Sequence, residues 1–435
     1  MIAALATFRA RLAQSPLARR FLGGAAWAFI GTVASSGITL VTMIFVARLL
    51  GKETYGQFVL IQSTLSMVGV FAGFGIGATA TRYIAALKLC DTSRLGHILA
   101  LSERTVLLFG IVVSCSLAVL SGSIATDVLS APELALPLSI AAFAVFFTAM
   151  DGYQKSVLIG FESMRALAIG TVAGVSVSLP VMLLAADWFG LDGVAGALVV
   201  GVLLQSAISR TQAVRQLRRY GVRLDAHGCL VEWRVIRDFA FPALLAGVLV
   251  TPTHWVCQAL LANTPSGYAE LAVLGVAMQW FNVIMLLPSI AGRMVLPILT
   301  EYVSSDNHVD SKRLLLLAIK ANAVIALPMA GVIAALSPWI ISLYGPEFQS
   351  GSLVLAIAVL TAALLAIMSP VGNMVAAASR MWLGVLMNLG WALFYIGFAY
   401  LYLEFGALGI AGAMGAAYLM HSIWVALWTR KILLR

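Results

Sequence analysis

Twelve apolar runs of about 20 residues follow one another between Phe21 and Trp428, with short polar breaks between them. A run of this length crosses the roughly 30 Å hydrocarbon core of a bilayer as an α-helix. Because backbone amides in lipid need partners within their own segment, and the alternating pattern of a membrane barrel is absent, the runs must be helical. The sequence therefore predicts an all-α integral membrane protein.

The composition supports this fold class, since 61% of the 435 residues are hydrophobic and 10% are charged. Soluble chains average about 45–50% and 25%. The formal charge of +9 could indicate nucleic-acid binding, but the basic residues flank apolar runs and form no patch interleaved with aromatic side chains, so no nucleic-acid partner is expected. The cysteines have no CxxC spacing and are expected to be reduced.

The predicted spans and the basic residues together indicate the topology. The spans are placed at about 22–46, 57–80, 105–126, 134–157, 166–186, 193–213, 239–261, 268–296, 314–336, 351–369, 382–403 and 406–428. With the N-terminus inside, only Arg48 and Lys52 of 27 basic residues fall at outward ends, as the positive-inside rule requires. Both termini are therefore expected on the cytoplasmic side of the membrane.

An internal repeat supplies the architecture. The segment Phe189–Ala197 reappears as Phe405–Ala413, with seven of nine positions identical or similar. In the leading hairpins an offset of 211 residues relates Gly56 to Gly267 and carries Arg82 onto Arg293. Six spans per repeat predict two six-helix bundles related by a pseudo-two-fold axis along the membrane normal, facing each other across a central cavity.

This duplication divides the chain into five predicted segments. They are a cytoplasmic basic N-terminal segment at 1–20, an N-terminal bundle at 21–213, a cytoplasmic linker at 214–238, a C-terminal bundle at 239–429 and a cytoplasmic tail at 430–435. No Walker loop, HExxH motif, nucleophile elbow or acidic cluster with metal spacing occurs. We therefore expect no metal, no other cofactor and no enzymatic activity.

Charged residues at the mouths of spans are the candidates for binding. Arg82 and Arg293 close spans 2 and 8 at the inner side, where two guanidinium groups could hold one anionic group. The alternative is that both extend to lipid headgroups as ordinary anchors. The same two interpretations apply to the other basic residues near inner span ends: Lys155, Arg165, Lys320 and Arg380.

Two polar residues lie deeper in the spans. Asp151 precedes Lys155 by four residues in span 4, which favours an ion pair that neutralises both, while a proton-coupling role stays open. His254 lies mid-span between Pro252 and Trp255, where satisfying backbone groups freed by the proline is favoured over substrate contact.

A glycine appears every fourth residue along span 2, at Gly69, Gly73 and Gly77. This spacing gives the helix one smooth face. Close packing against a neighbouring helix is the favoured interpretation, and the wall of a cavity that must pass a bulky ligand is the alternative.

The first hairpin carries short motifs that together resemble a known family. They are Ala47-Arg48-Leu49-Leu50-Gly51 with Tyr55-Gly56, then Phe74-Gly75-Ile76-Gly77, then Thr81-Arg82-Tyr83. The chain resembles polysaccharide (Wzx-type) flippases, which are members of the multidrug/oligosaccharidyl-lipid/polysaccharide (MOP) exporter superfamily. The twelve-span plan and the duplicated halves extend the resemblance over the whole chain.

The resemblance implies an activity and a substrate. The family moves an oligosaccharide linked to a polyprenyl diphosphate of the undecaprenyl type from the cytoplasmic to the outer face of the inner membrane, for O-antigen, capsule or exopolysaccharide assembly. On this basis Arg82 and Arg293 would contact the diphosphate and Arg48 would be a gate or packing residue. Membrane lipids and other polysaccharide assembly proteins are the further partners expected.

Other functions stay open at this stage. An ion-coupled drug or small-molecule antiporter could share the fold, although span 1 lacks the acidic residue on which such coupling leans. A polysaccharide polymerase or ligase would need a sizeable outward loop, whereas the longest polar stretch here is predicted to face inward. Lipid II flippases have fourteen spans, and a major-facilitator signature is absent from Asp91–Gly96.

Overall fold

The structure is a computed structural model, and it describes residues 16–225, 228–241, 244, 248–305, 307–378 and 381–433. No β-strand occurs among these residues. Their long helices are α1 (Pro16–Leu50), α2 (Lys52–Gly73), α3 (Ile76–Leu87), α4 (Thr92–Ser123), α5 (Ala135–Gly160), α6 (Met164–Arg219), α7 (Val250–Ala262), α8 (Gly267–Ser304), α9 (His308–Ala335), α10 (Ser352–Ala377), α11 (Met381–Leu401) and α12 (Gly406–Leu433). Arg380 lies outside the described residues, as do residues 1–15.

Shorter helical turns connect the long helices. Two α-helical turns occur at Trp233–Val235 and Ser337–Ser342. Turns of 3-10 helix cover Pro132–Leu134, Cys229–Glu232, Pro346–Gly351 and Leu403–Phe405, and π-helical turns cover Ile124–Val128 and Ile236–Ala240.

The helices agree with the predicted twelve-span plan. Among the described residues, 10 helices are long and apolar enough to cross a membrane. The 56-residue helix α6 contains Gly190 in a non-helical conformation, so it makes two crossings. Helices α2 and α3 form one crossing that is broken at Phe74 and Gly75, both left-handed. Helix α7 is the last part of span 7, and the residues of that span that precede α7 are only partly described. The predicted all-α membrane fold is confirmed.

The predicted sequence repeat corresponds to a repeated backbone feature. Gly190 has φ 56° and ψ −133°, and Gly406, 216 residues later, has φ 60° and ψ −137°. This region of backbone space is essentially restricted to glycine, because a Cβ would clash with the chain. The same kink therefore separates spans 5 and 6 and introduces span 12, which confirms the repeat between Phe189–Ala197 and Phe405–Ala413.

Replacing Gly190 with alanine should lower the free energy of unfolding by about 1–3 kcal/mol, because the new Cβ must adopt a conformation reserved for glycine. A Cβ there would meet no atom within 4 Å, so steric overlap with neighbours adds nothing. The measurement is the thermal unfolding midpoint of purified protein. Gly196→Ala is the matched control, since Gly196 also has no neighbour within 4 Å and its φ is not positive. Equal midpoints for the two variants would contradict the prediction.

The two halves meet where α2 crosses α8. A Cβ at Gly56 would overlap the carbonyl oxygen of Tyr268 and approach the amide of Ala272, and a Cβ at Gly275 would overlap the side chain of Val59. Glycine allows the two helices to approach at backbone distance. The contact is symmetrical, since Gly56 pairs with Ala272 and Val59 with Gly275, both 216 residues apart.

This symmetry corrects the register predicted for the leading hairpins. A single residue, Gly51, joins α1 to α2, whereas residues 263–266 join α7 to α8. The second loop is longer, and the contacts of Gly56 and Val59 relate the helices after the loops by 216 residues, so the predicted offset of 211 is wrong there. The counterpart of Arg82 is then Ile298, so Arg293 is not its symmetry mate.

Loop contacts define the two ends of the bundle. We call the end that carries the loops at 51, 129–131 and 263–266 the hairpin end. The opposite end is the linker end, where residues 220–225 and 228–232 pack on α4. There Arg94 donates two hydrogen bonds to the Glu232 carboxylate, at 2.8 and 3.2 Å. Nearby, a hydrogen bond from Arg237 lowers the pKa of Asp238 below its usual value.

Candidate functional site

A cavity of about 730 Å³ lies inside the first half of the molecule. It runs between α2, α5 and α6, and its described lining comes from the first half alone. The residues that carry its shape and polarity are Gln62, Ser66, Gly69 and Gly73 on α2, Thr148, Gly152, Tyr153 and Ser156 on α5, and Leu198 and Val202 on α6. The sequence predicted a cavity between the halves, and this one is a recess in the wall of one half.

The glycines of α2 form the long wall of this cavity. A Cβ at Gly69 or Gly73 would meet no atom within 4 Å. At Gly77 a Cβ would lie 2.7 Å from the Ser156 hydroxyl oxygen. Close helix packing, the interpretation favoured from the sequence, is therefore right at Gly77 and wrong at Gly69 and Gly73, where the missing side chains leave open space.

The sequence contained a signal for the polar part of this wall. Gln62 and Ser66 precede Gly69 and Gly73 at spacings of four, three and four residues, which place all four on one helix face. Extending the glycine pattern toward the start of α2 would have identified both polar residues. The opposing residues on α5 and α6 had no such signal, because nothing in the sequence states which helices face α2.

A charged pair lies behind the cavity wall on α5. The Lys155 amine is 2.7 Å from the Asp151 carboxylate, which confirms the ion pair expected from the spacing of four residues. The Ser209 hydroxyl donates to the same carboxylate at 2.6 Å, and the Gln205 amide donates to Ser209 at 3.3 Å. Asp151 is buried, so its contacts with Lys155 and Ser209 compensate the cost of removing its charge from water.

The other basic candidates lie elsewhere. Arg82 is exposed on α3, with its guanidinium carbon 5.7 Å from the centre of the Tyr83 ring. Arg165 is 5.2 Å from the centre of the Trp27 ring. Lys320 is exposed on α9. None of these three belongs to the described cavity lining. The side chain of Arg293 and the whole of Arg380 lie outside what the structure describes.

His254 lies against aromatic rings of α11. Its ring centre is 5.5 Å from that of Trp391 and 5.3 Å from that of Tyr395. This arrangement places the imidazole in the second half, away from the recess in the first. Within the described chain, no group of three or more His, Cys, Asp or Glu side chains is placed to hold a metal ion.

The two halves are joined by hydrogen bonds at the hairpin end. The Arg48 guanidinium donates to the carbonyl oxygen of Leu343 at 2.6 Å. The backbone amide of Lys52 donates to the Glu347 carboxylate at 3.2 Å. The loop after α7 makes a similar contact, because the Asn263 amide donates to the carbonyl oxygen of Val128 at 2.9 Å and accepts from Ser130.

Hydrogen bonds between two buried tyrosines and two half-buried side chains reinforce this junction. The Gln279 amide donates to the Tyr55 hydroxyl and accepts from Tyr344 at 3.2 Å. Trp280 donates to the same tyrosine at 3.2 Å. Sequence reasoning missed this cluster, because Tyr55 and Tyr344 are far from Gln279 along the chain and contact it only in the folded protein.

Comparison with known proteins identifies the family. A family model described as "Polysaccharide biosynthesis protein" matches residues 21–303. The chain is 26% identical over 424 residues to the "EPS I polysaccharide export inner membrane protein EpsE" of Ralstonia solanacearum, with 94% of each chain covered. The same protein from Ralstonia nicotianae is 27% identical over 425 residues, with 93% of each covered.

Solved structures share the fold at low identity. An inward-facing multidrug resistance MATE family transporter of the MOP superfamily gives a TM-score of 0.77 at 15% identity, covering 93% of this chain and 98% of that one. An outward-facing structure of that family gives 0.69 at 15% identity, with 97% of each covered. The resemblance seen in the sequence motifs is confirmed, and this chain belongs to the polysaccharide biosynthesis protein family.

Proposed function

We propose that the protein is a flippase that exports an oligosaccharide linked to a polyprenyl diphosphate across the bacterial inner membrane, for O-antigen, capsule or exopolysaccharide assembly. The family match and the names of the Ralstonia relatives, which state polysaccharide export at the inner membrane, support this function. They favour a transporter over an enzyme. The two-lobed fold supports movement of the substrate by alternating access.

The orientation follows from the distribution of basic residues. Arg94, Arg104, Arg210 and Arg218 lie toward the linker end, whereas the loops of the hairpin end carry Asp127, Glu133 and Glu347. By the positive-inside rule the linker end faces the cytoplasm and the hairpin end faces outward. Both termini then lie in the cytoplasm.

The observation that carries the proposed mechanism is the position of the junction relative to the recess. The hydrogen bonds from Arg48, Lys52 and Asn263 join the halves at the hairpin end, and the 730 Å³ recess lies farther toward the linker end. This arrangement is that of a transporter whose two halves are closed against each other on the outer side of the membrane. The greater similarity to the inward-facing neighbour supports the same state. Arg48 is then part of the outer gate.

The anionic diphosphate requires basic groups on the cytoplasmic side. Arg82 and Arg293 are the residues proposed to contact it, because one guanidinium group can donate two parallel hydrogen bonds to phosphate oxygens. Further candidates for substrate contacts are Lys155, Arg165, Lys320, Arg380 and His254. Asp151 is the candidate for ion coupling. The alternative explanation for this residue is that it neutralises Lys155 as its ion-pair partner.

Arg82→Ala and Arg293→Ala should each reduce export at least tenfold without lowering protein abundance, because removal of one guanidinium takes away a charge-assisted hydrogen bond of about 1.5–3 kcal/mol. The measurement is complementation of surface polysaccharide in a deletion strain, with protein quantified in membranes. Lys312→Ala is the control, since Lys312 is an exposed basic residue at the start of α9. Normal export by the double arginine variant would assign both residues to lipid anchoring.

Deletion of the gene tests the function itself. Undecaprenyl-linked repeat units should accumulate on the cytoplasmic face of the inner membrane, and surface polysaccharide should be lost. Normal surface polysaccharide in the deletion strain, with no related transporter to compensate, would refute the proposal. Transport of cationic dyes down an ion gradient by purified protein would indicate the antiporter instead.

A further inference from the structure

The recess in the first half has uncharged walls, which are mostly apolar and carry a few polar groups. Among its described lining residues, none is Asp, Glu, Lys, Arg or His. The Gln62 amide and the Thr148 hydroxyl make no hydrogen bond to any described residue, and both belong to the lining. The hydroxyls of Ser66 and Ser156 each donate to a carbonyl of their own helix at 2.8 Å, which leaves their oxygen lone pairs free to accept.

Charged groups close to the recess are turned away from it and neutralised. Asp151 is next to the lining residue Gly152 in sequence, but its carboxylate binds Lys155 and Ser209. The Tyr153 hydroxyl donates to the carbonyl oxygen of Leu99 at 3.0 Å, so this tyrosine offers the recess its ring alone. A diphosphate here would lose its hydration without gaining a counter-charge, which costs several kcal/mol for each ion.

The size of the recess and its polar groups disfavour simpler occupants. Its volume of about 730 Å³ lies within the range of roughly 300–1,000 Å³ found for ligand pockets. An acyl chain would leave Gln62 and Thr148 without partners, and a buried amide or hydroxyl without a partner costs about 1–3 kcal/mol. A cationic drug would lack an acidic partner. A ligand rich in hydroxyl groups can donate to and accept from the amide and the hydroxyls of the lining.

We propose that this recess is the subsite for uncharged sugar rings of the transported glycan, and that the diphosphate binds outside it. The inference rests on the proposed function and adds the location and the charge of the sugars. It assigns Gln62 and Thr148 to hydrogen bonds with sugar hydroxyls, and it assigns Gly69 and Gly73 to the space that the rings occupy. Sugars bearing a carboxylate are disfavoured in this subsite.

The test measures binding to purified protein in lipid nanodiscs. The probes are polyprenyl diphosphate without sugar, the same lipid carrying a neutral N-acetylhexosamine disaccharide, and the same lipid carrying a disaccharide with one hexuronic acid. Wild-type protein should bind the neutral disaccharide form at least tenfold more tightly than either other probe. Equal affinity for all three probes would overturn the inference and leave the proposed function intact, whereas no binding of any probe would overturn both.

Variants then locate the sugars. Gln62→Ala, Thr148→Val and Gly69→Leu should each weaken binding of the neutral disaccharide form about tenfold and leave the sugar-free form unchanged. Gly331→Leu is the matched control, because Gly331 also has no atom within 4 Å of a Cβ, is exposed on α9 and lies outside the described lining. Unchanged binding of the disaccharide form by Gln62→Ala and Thr148→Val, or equal weakening of both forms, would overturn the assignment.

Discussion

Gly56→Val should abolish export while the protein still folds and reaches the membrane. The valine side chain would overlap the carbonyl oxygen of Tyr268, where α2 crosses α8 at backbone distance. Overpacking of a close contact costs about 1–3 kcal/mol. Because this contact joins the two halves at the hairpin end, the cost falls on the outward-closed state. A shift of that size changes the ratio of outward-closed to outward-open molecules by about 5- to 150-fold.

The distance between the halves at the hairpin end is the direct measurement. Spin labels at Asp127 and Tyr402, both exposed at that end, would report it in a background without other reactive cysteines. Gly56→Val should move the distance distribution toward longer values. Gly37→Val is the control, since Gly37 is exposed on α1 and no atom lies within 4 Å of its Cβ. A wild-type distance distribution together with normal export would refute the gate at this contact.

Asp151→Asn should destabilise the protein by about 1–3 kcal/mol. The asparagine can still accept a hydrogen bond from Ser209, but the Lys155 amine loses its counter-charge. Removal of one partner of a fully buried pair costs about 3–5 kcal/mol, and the value expected here is lower because the Lys155 side chain is 29% exposed. Thermal unfolding of purified protein measures the loss.

A second variant separates stability from coupling. Asp151→Asn with Lys155→Gln removes both charges, so the unfolding midpoint should recover toward wild type. Recovery of the midpoint without export, together with loss of the dependence of transport on pH, would instead assign ion coupling to Asp151. A double variant as unstable as Asp151→Asn alone would contradict the charge-pair explanation.

Local spacing was sufficient for several features of the molecule. Apolar runs of bilayer length required helices, because lipid offers no hydrogen-bond partner to the backbone. The repeated segment at Phe189 and Phe405 marked equivalent kinks, since only glycine adopts the backbone angles found at Gly190 and Gly406. The four-residue separation of Asp151 and Lys155 fixed their contact, because a helix places such residues on one face.

Relations between distant helices were not accessible in the same way. The register of the helices after the two hairpin loops is defined by the contacts of Gly56 with Ala272 and of Val59 with Gly275, which form only in the folded chain. The junction of Arg48 with Leu343 and the contact of Gln279 with Tyr55 and Tyr344 depend on how the two halves pack. No short-range pattern encodes which helices meet.

The chain of apolar runs, the duplication and the membrane orientation expected from its basic residues were properties of the sequence by itself, because each depends on hydrophobic length, glycine backbone freedom or charge counted along the chain. Whether the glycine face of α2 packs against a helix or borders a recess was decided by the tertiary structure alone. The reason is physical: a face without side chains permits either close approach or open space, and only the positions of α5 and α6 determine which of the two occurs.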